Sequence, residues 1–189
     1  MSEKVCLLFG SSITKNVDGH RMSRGARVTF NLSESGARIS DICRIANSFF
    51  ADNQALVNRV DKIVINIGTN DVKWLNGRRF SVSRKFRAPL CNLVRDLRSM
   101  FSMATIVFVP MLPIRAFYNY TAGTVNDFNR LLFNICREFG CIFYDCFRDF
   151  LAPDLRDYNS NLFRDKWHLN DFGLRLFCRA LKFFISEFN

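Results

Sequence analysis

Hydrophobic positions follow two rhythms along this chain. Val5-Cys6-Leu7-Leu8-Phe9 is a continuous apolar run closed by Gly10, and Ile63-Val64-Ile65-Asn66-Ile67 is a β-branched run closed by Gly68. Thr105-Ile106-Val107-Phe108-Val109 stops at Pro110, and residues 27–32 and 141–144 are two further short candidates. Runs of this length suit parallel strands buried on both faces. Between them, apolar residues recur every three or four positions: Ile39, Ile42, Ala46 and Phe49, then Phe86, Leu90, Leu93, Val94 and Leu97, then Phe128, Leu131, Leu132 and Ile135, and finally Phe172, Leu176, Phe177, Ala180, Leu181, Phe184 and Ile185. That spacing predicts four helices with one apolar face each. Pro89 lies inside the second pattern and predicts a helix that starts near Ala88 or is kinked there. Thr124 to Asp127 has capping-box character, with Asp in place of Glu, and predicts a helix start; Gly140 closes that helix. Asn170 is placed to cap the last one.

Strand and helix alternate from end to end, without repeats, linkers or low-complexity stretches. The expectation is one domain over residues 1–189, a three-layer α/β fold around a five-stranded parallel sheet. In such sheets, sites form beyond the carboxyl ends of the strands. That rule selects Gly10-Ser11-Ser12, Gly68-Thr69-Asn70-Asp71 and the loop after Pro110.

The chemistry in those segments is of one kind. The chain has only two histidines, His20 and His168. Imidazole is the commonest general base near neutral pH, and His168 has Asp165 three residues upstream, in Asp165-Lys166-Trp167-His168. An Asp that orients a His is half of a catalytic triad, although Asp-x-x-His also occurs by chance in surface loops. A serine directly after the first strand could supply the nucleophile, with Ser11 and Ser12 competing for the role, or the segment is a plain turn. Gly36, at a predicted helix start, could offer its backbone N–H to an oxyanion, or it serves backbone geometry alone. The Asn70 side chain could donate to the same oxyanion, or it belongs to a polar turn. Asp71 reads as a brace for that loop. Two histidines are too few for an ordinary zinc site, and no metal is expected.

Composition changes this picture modestly. Hydrophobic residues make up 49% and charged residues 23%, as in folded soluble proteins. The net charge of +10 suits polyanions or anionic membrane surfaces as partners. Equally, it suits a basic face turned toward the rest of a longer polypeptide. Arg78, Arg79, Arg84, Lys85 and Arg87 form the densest basic group, but no RNA-binding signature is present. The seven cysteines have no metal-ligand spacing and read as small buried hydrophobes in a reducing compartment, so the expected location is cytoplasmic. No signal peptide and no transmembrane segment is expected.

Taken in order, the blocks at Ser12, Gly36, Asn70 and Asp165–His168 resemble those of the SGNH hydrolase superfamily, the GDSL-type esterases and lipases, over nearly the whole chain. The resemblance implies a flavodoxin-like α/β/α fold and hydrolysis of carboxylic esters, on a lipid or an acetylated molecule; a short acyl group is the expectation, since the sequence shows no lid-like insertion for a long tail. It implies Ser12 as nucleophile, His168 as base, Asp165 as its orienting acid, an oxyanion hole from Ser12, Gly36 and Asn70, and no cofactor. One departure stands out: Ser11 occupies the place of the Asp in the usual Gly-Asp-Ser block, which puts loop rigidity and rate in question. The run from Leu162 to Leu176, with Phe128-Asn129-Arg130-Leu131-Leu132, is similar to retrotransposon-encoded esterase domains, which sit in larger polyproteins beside nucleic-acid-binding parts. The competing class is a catalytically weak or inactive module of the same fold that binds RNA or protein, and such modules lack the residues found here. Trp74, Met111, Leu112, Pro113, Ile114 and Trp167 are candidates either for an acyl pocket or for packing.

Overall fold

A computed structural model describes residues 3–23, 27–75, 82–113, 115–153, 158–165 and 167–187. Arg78, Arg79, Ile114 and Lys166 lie outside the described residues, as do the side chains of Trp74 and Phe184.

Five strands form one parallel sheet in the order β2-β1-β3-β4-β5: β1 (Lys4–Gly10), β2 (Arg27–Asn31), β3 (Val60–Asn66), β4 (Thr105–Val109) and β5 (Ile142–Phe143). The helices are α1 (Ser12–Lys15), α2 (Gly19–Met22), α3 (Ile39–Asp52), α4 (Gln54–Val57), α5 (Thr69–Val72), α6 (Val82–Met100), α7 (Arg115–Phe139) and α8 (Asp171–Glu187). Parallel pairing puts the carboxyl ends of all five strands at one edge, and each return needs a crossover, which the helices supply.

Two cores sandwich the sheet. One packs the inward faces of α3, α6 and α7 on Leu7, Phe9, Ile63, Ile65 and Phe108. The other packs α8, through Phe177, Leu181 and Ile185, on Leu8, Val64 and Val107. This two-sided burial is the reason β1 and β3 read as unbroken apolar runs rather than alternating ones.

Several boundaries differ from the sequence expectation. Helix α6 starts at Val82 and carries Pro89 in its interior, so it does not begin near Ala88. The carbonyl that Pro89 leaves unpaired belongs to Lys85, an exposed position where water can serve it. Helix α7 begins at Arg115, upstream of the Thr124–Asp127 segment. Thr124 is wholly buried, and its hydroxyl has no hydrogen-bond partner among the described residues, so it faces the core instead of capping a terminus. Strand β3 starts at Val60 and includes Lys62, only 2% exposed. Burial, followed by the nearby Arg27 charge, pushes the Lys62 ammonium pKa down. Its Nζ donates to the Ile185 carbonyl at 3.2 Å, and Arg27 donates to the same oxygen. Two buried cations thus satisfy the carbonyl end of α8, where the helix dipole favours positive charge.

Gly68, between β3 and α5, has φ +117°, a left-handed conformation that side chains rarely adopt. A methyl group there would also overlap the Phe128 ring of α7. Gly68→Ala is therefore expected to cost about 3 kcal/mol and lower Tm by about 6–12 °C, read by thermal unfolding. A melting curve unchanged from wild type would show that the loop is not constrained in this way.

Candidate active site

Three of the four blocks meet because of strand order. β1 lies between β2 and β3, so the segments leaving these strands are neighbours at the carboxyl edge. Ser12 opens α1, two residues past the end of β1, and is half-buried. Ladder bonds continue past the end of β2: Leu32 N–H donates to the Leu8 carbonyl at 2.8 Å, and Glu34 N–H to the Gly10 carbonyl at 3.1 Å. The loop carrying Gly36 is thereby tied to the residue two before Ser12. Gly36 itself sits in a turn three residues before α3, with φ +83°, rather than at the helix start. The space over its Cα is open.

The segment after β3 closes against the same loop. Asn70 Nδ2 donates to the Ala37 carbonyl at 3.0 Å, and both Asp71 carboxylate oxygens lie 3.3 Å from Ile39 N–H. Adjacent side chains therefore grip the backbone on the far side of Gly36. The amide of Asn70 has two hydrogens, so the Ala37 bond leaves one for a ligand. Asp71 acts as the brace the sequence pointed to. Burial pushes its carboxyl up to about 6, against the lowering pull of the Ile39 N–H and the Arg38 charge.

The fourth block comes from a separate loop. Phe163 and Leu169 form an antiparallel bridge, with Arg164 N–H donating to the His168 carbonyl at 3.0 Å, which closes residues 163–169 into a tight excursion. Leu162 and Leu169 root it in the core. Gly173 of α8 lies against the Leu162 carbonyl, where a Cβ would collide, and Asn170 Oδ1 accepts from the N–H groups of Phe172 and Gly173, capping α8 as expected. Inside the excursion, His168 Nδ1 lies 2.9 Å and 3.0 Å from the two Asp165 oxygens. Oδ1 of Asp165 also accepts from Trp167 N–H at 2.7 Å and His168 N–H at 2.8 Å. Desolvation pushes the Asp165 carboxyl up, but these bonds and the His168 charge outweigh it and hold the group down at about 2. An ionised carboxylate can only accept, so the hydrogen sits on Nδ1 and the Nε2 lone pair is left as a base.

Lys73, three residues after Asn70, places its ammonium 4.6 Å from the centre of the Trp167 ring. This cation–π contact joins the Asn70 segment to the His168 loop. The structure thus links Ser12's segment to Gly36, Gly36's loop to Asn70, and Asn70's segment to His168's. Lys73 carried no signal in the sequence, because a lysine in a polar loop is ordinary. His20 is exposed, on α2, with its backbone N–H bonded to Asp18. Met111 and Leu112 are buried in the two cores, Pro113 is buried as well, and Trp167 is half-buried against one core. A cleft of 280 Å³ lies beyond β4 and β5, between Phe133, Phe143, Phe147, Arg130 and Asp145; none of the site residues lines it.

The model of the GDSL-like Lipase/Acylhydrolase family matches residues 8–176. The chain belongs to that family. It is a carboxylic ester hydrolase by class, built on the fold of its relatives. A protein described as a GDSL-like lipase from Parabacteroides merdae is 16% identical with a TM-score of 0.71, over 98% of this chain and 96% of that one. A catalytic mutant of Axe2, an acetylxylan esterase from Geobacillus stearothermophilus, is 18% identical with a TM-score of 0.69, over 100% and 96%. The acetyl xylan esterase AlAXEase is 20% identical with a TM-score of 0.70, over 94% and 97%. At these identities the likeness is one of fold. No curated protein matches the chain in sequence. Among the described residues, no helix is long and apolar enough to cross a membrane.

Because the Asp71 carboxyl titrates near 6, above the ordinary 3.9 or so, the native state keeps a proton between about pH 4 and 6 that the unfolded chain has released. This group's contribution to stability therefore falls as pH rises through that window. Asp71→Asn keeps an acceptor for Ile39 N–H and should remove about 2–3 kcal/mol of that loss between pH 4 and 7. Urea unfolding of wild type and variant at both pH values measures it. Identical pH dependence in the two proteins would contradict the assignment.

Proposed function

We propose that this chain is a serine esterase acting through an acyl-enzyme, with Ser12, His168 and Asp165 as its triad. The observation that carries the reading is the Asp165–His168 pair, which leaves Nε2 as a base on a loop joined to the Asn70 segment through Trp167 and Lys73. Ser12 Oγ attacks the ester carbonyl carbon as His168 Nε2 takes its proton. The carbonyl π pair moves to oxygen, which the N–H groups of Ser12 and Gly36 and the second Asn70 hydrogen receive. Collapse breaks the bond to the alcohol oxygen, and His168 returns the proton to it. Water then attacks the acyl-Ser12 ester with His168 as base, releasing the acid and the free serine.

The acyl group we propose is short, acetyl in the first place. Met111 and Leu112 are spent in the two cores, so these two side chains are not available to a long tail. The acetylxylan esterases of the same fold act on acetyl esters by their names, which is compatible with that size.

Labelling with a fluorophosphonate and hydrolysis of p-nitrophenyl acetate test the reading together. Ser12→Ala should take no label, whereas Ser11→Ala should label nearly as wild type; the opposite pattern would move the nucleophile to Ser11. Asp165→Asn presents an N–H where His168 needs an acceptor, inverting the tautomer, and should lower kcat on the order of 10⁴-fold. Asn70→Ala should lower it by about 10²–10³, roughly 3–4 kcal/mol. His168→Ala should remove nearly all turnover and His20→Ala very little. A wild-type protein that hydrolyses no faster than Ser12→Ala would end the esterase mechanism.

A further inference from the structure

Helix α1 is a single turn, and Ser12 is its first residue. One isolated turn is unstable by itself, because fixing its dihedrals yields almost no internal hydrogen bonds. Local backbone N–H groups reach only part of its carbonyl end: Asn16 and Val17 N–H donate to the Thr14 carbonyl. The N-terminal side gives little help, since the Ser11 side chain makes no capping bond. Ser11 is 3% exposed and Thr14 wholly buried, and Thr14 Oγ1 donates to the Ser11 carbonyl at 3.0 Å, a bond internal to the turn.

The bond that arrives from elsewhere comes from Asn31, the last residue of β2. Its Nδ2 donates to the Thr14 carbonyl at 2.9 Å and the Val17 carbonyl at 2.6 Å, with the Lys15 carbonyl at 3.5 Å. Its Oδ1 accepts from Ser33 N–H at 3.1 Å. The donor end of one planar amide therefore grips the turn that follows Ser12, while its acceptor end grips the loop that leads to Gly36. One residue further along that loop, Glu34 N–H bonds the Gly10 carbonyl.

We propose that Asn31 is a positioning residue for catalysis: its side-chain amide sets the register of the Ser12 helix against the Gly36 loop, and so the distance from nucleophile to oxyanion donor. The proposal rests on Ser12 being the nucleophile. It is specific about chemistry as well as shape. An aspartate has the outline of asparagine and still accepts from Ser33 N–H, but it has no hydrogen to donate. It would also set a negative charge against the carbonyl end of α1, where the helix dipole is already negative.

The test measures fluorophosphonate labelling and p-nitrophenyl acetate kinetics of wild type, Asn31→Asp and Asn31→Ala, well below each protein's Tm. The expected result is labelling and kcat reduced by about tenfold to a hundredfold in Asn31→Asp, with KM within about twofold of wild type, because misplacement of reacting groups is felt in the transition state. Asn31→Ala, which adds no charge, should fall in the same direction and decides the matter where Asn31→Asp does not fold. Variants that melt earlier yet label and turn over as wild type does would reduce Asn31 to a structural part and overturn the proposal. An unlabelled wild type would overturn the serine mechanism and the proposal with it, whereas a labelled wild type with equally reactive variants would overturn the proposal alone.

Discussion

Strand β1 is bonded on both sides, to β2 from Lys4 to Leu8 and to β3 from Val5 to Gly10, and all three strands run the same way. The rest of the site depends on this pairing. A parallel neighbour ends where its partner ends, so the segments that follow β1, β2 and β3 leave the sheet side by side. Ser12, Gly36 and Asn70 are far apart in sequence but belong to three adjacent exits. The ladder does not stop at the last strand residue, since Glu34 N–H still reaches the Gly10 carbonyl. Sheet register, which is set by burial on both faces, is therefore transmitted directly to the loop geometry around the candidate oxyanion hole.

The His168 loop has no strand to hold it, and the fold anchors it by other means. Helix α8 follows immediately, and both of its ends are fixed. At the start, Asn170 caps it and Gly173 permits contact with the Leu162 carbonyl. At the far end, Arg27 and Lys62, buried beneath the sheet's opposite edge, donate to Ile185. Burying two cations is costly unless they are paired. Asp61 partly neutralises this pair through Arg27 at 2.5 Å, and the dipole of a long helix adds to the balance. The result is a helix held at both of its ends. Lys73 and Trp167 connect the His168 loop to the Asn70 segment.

The charge around these groups is divided between two carboxylates with opposite behaviour. Asp165 is exposed and rich in N–H donors, so it stays ionised and fixes the imidazole tautomer. Asp71 is mostly buried, and desolvation outweighs its backbone N–H contacts, so its charged form is disfavoured. Environment, not residue type, separates the acid that orients His168 from the acid that holds a loop.

Much of this was legible from the chain alone. Unbroken apolar runs at Val5–Phe9 and Ile63–Ile65 suit strands covered on both faces, and the helical spacing between them supplies the cover. From alternation alone, the parallel sheet follows, and its carboxyl edge becomes the candidate site on which the blocks at Ser12, Gly36 and Asn70 fall. What sequence could not decide is anything carried by a single polar residue whose partner is distant. Lys62 precedes the apolar run read as a strand, and only the fold buries it in β3 beneath Ile185. Thr124 looks like a cap until α7 runs through it. Asn31 is an ordinary strand-ending residue until its amide is seen to span α1 and the Gly36 loop. Hydrophobic periodicity is written locally, because each residue contributes its own burial, and so it can be read from a string. A hydrogen bond between residues brought together by the fold is a property of the pair, and only the tertiary structure chooses the pair.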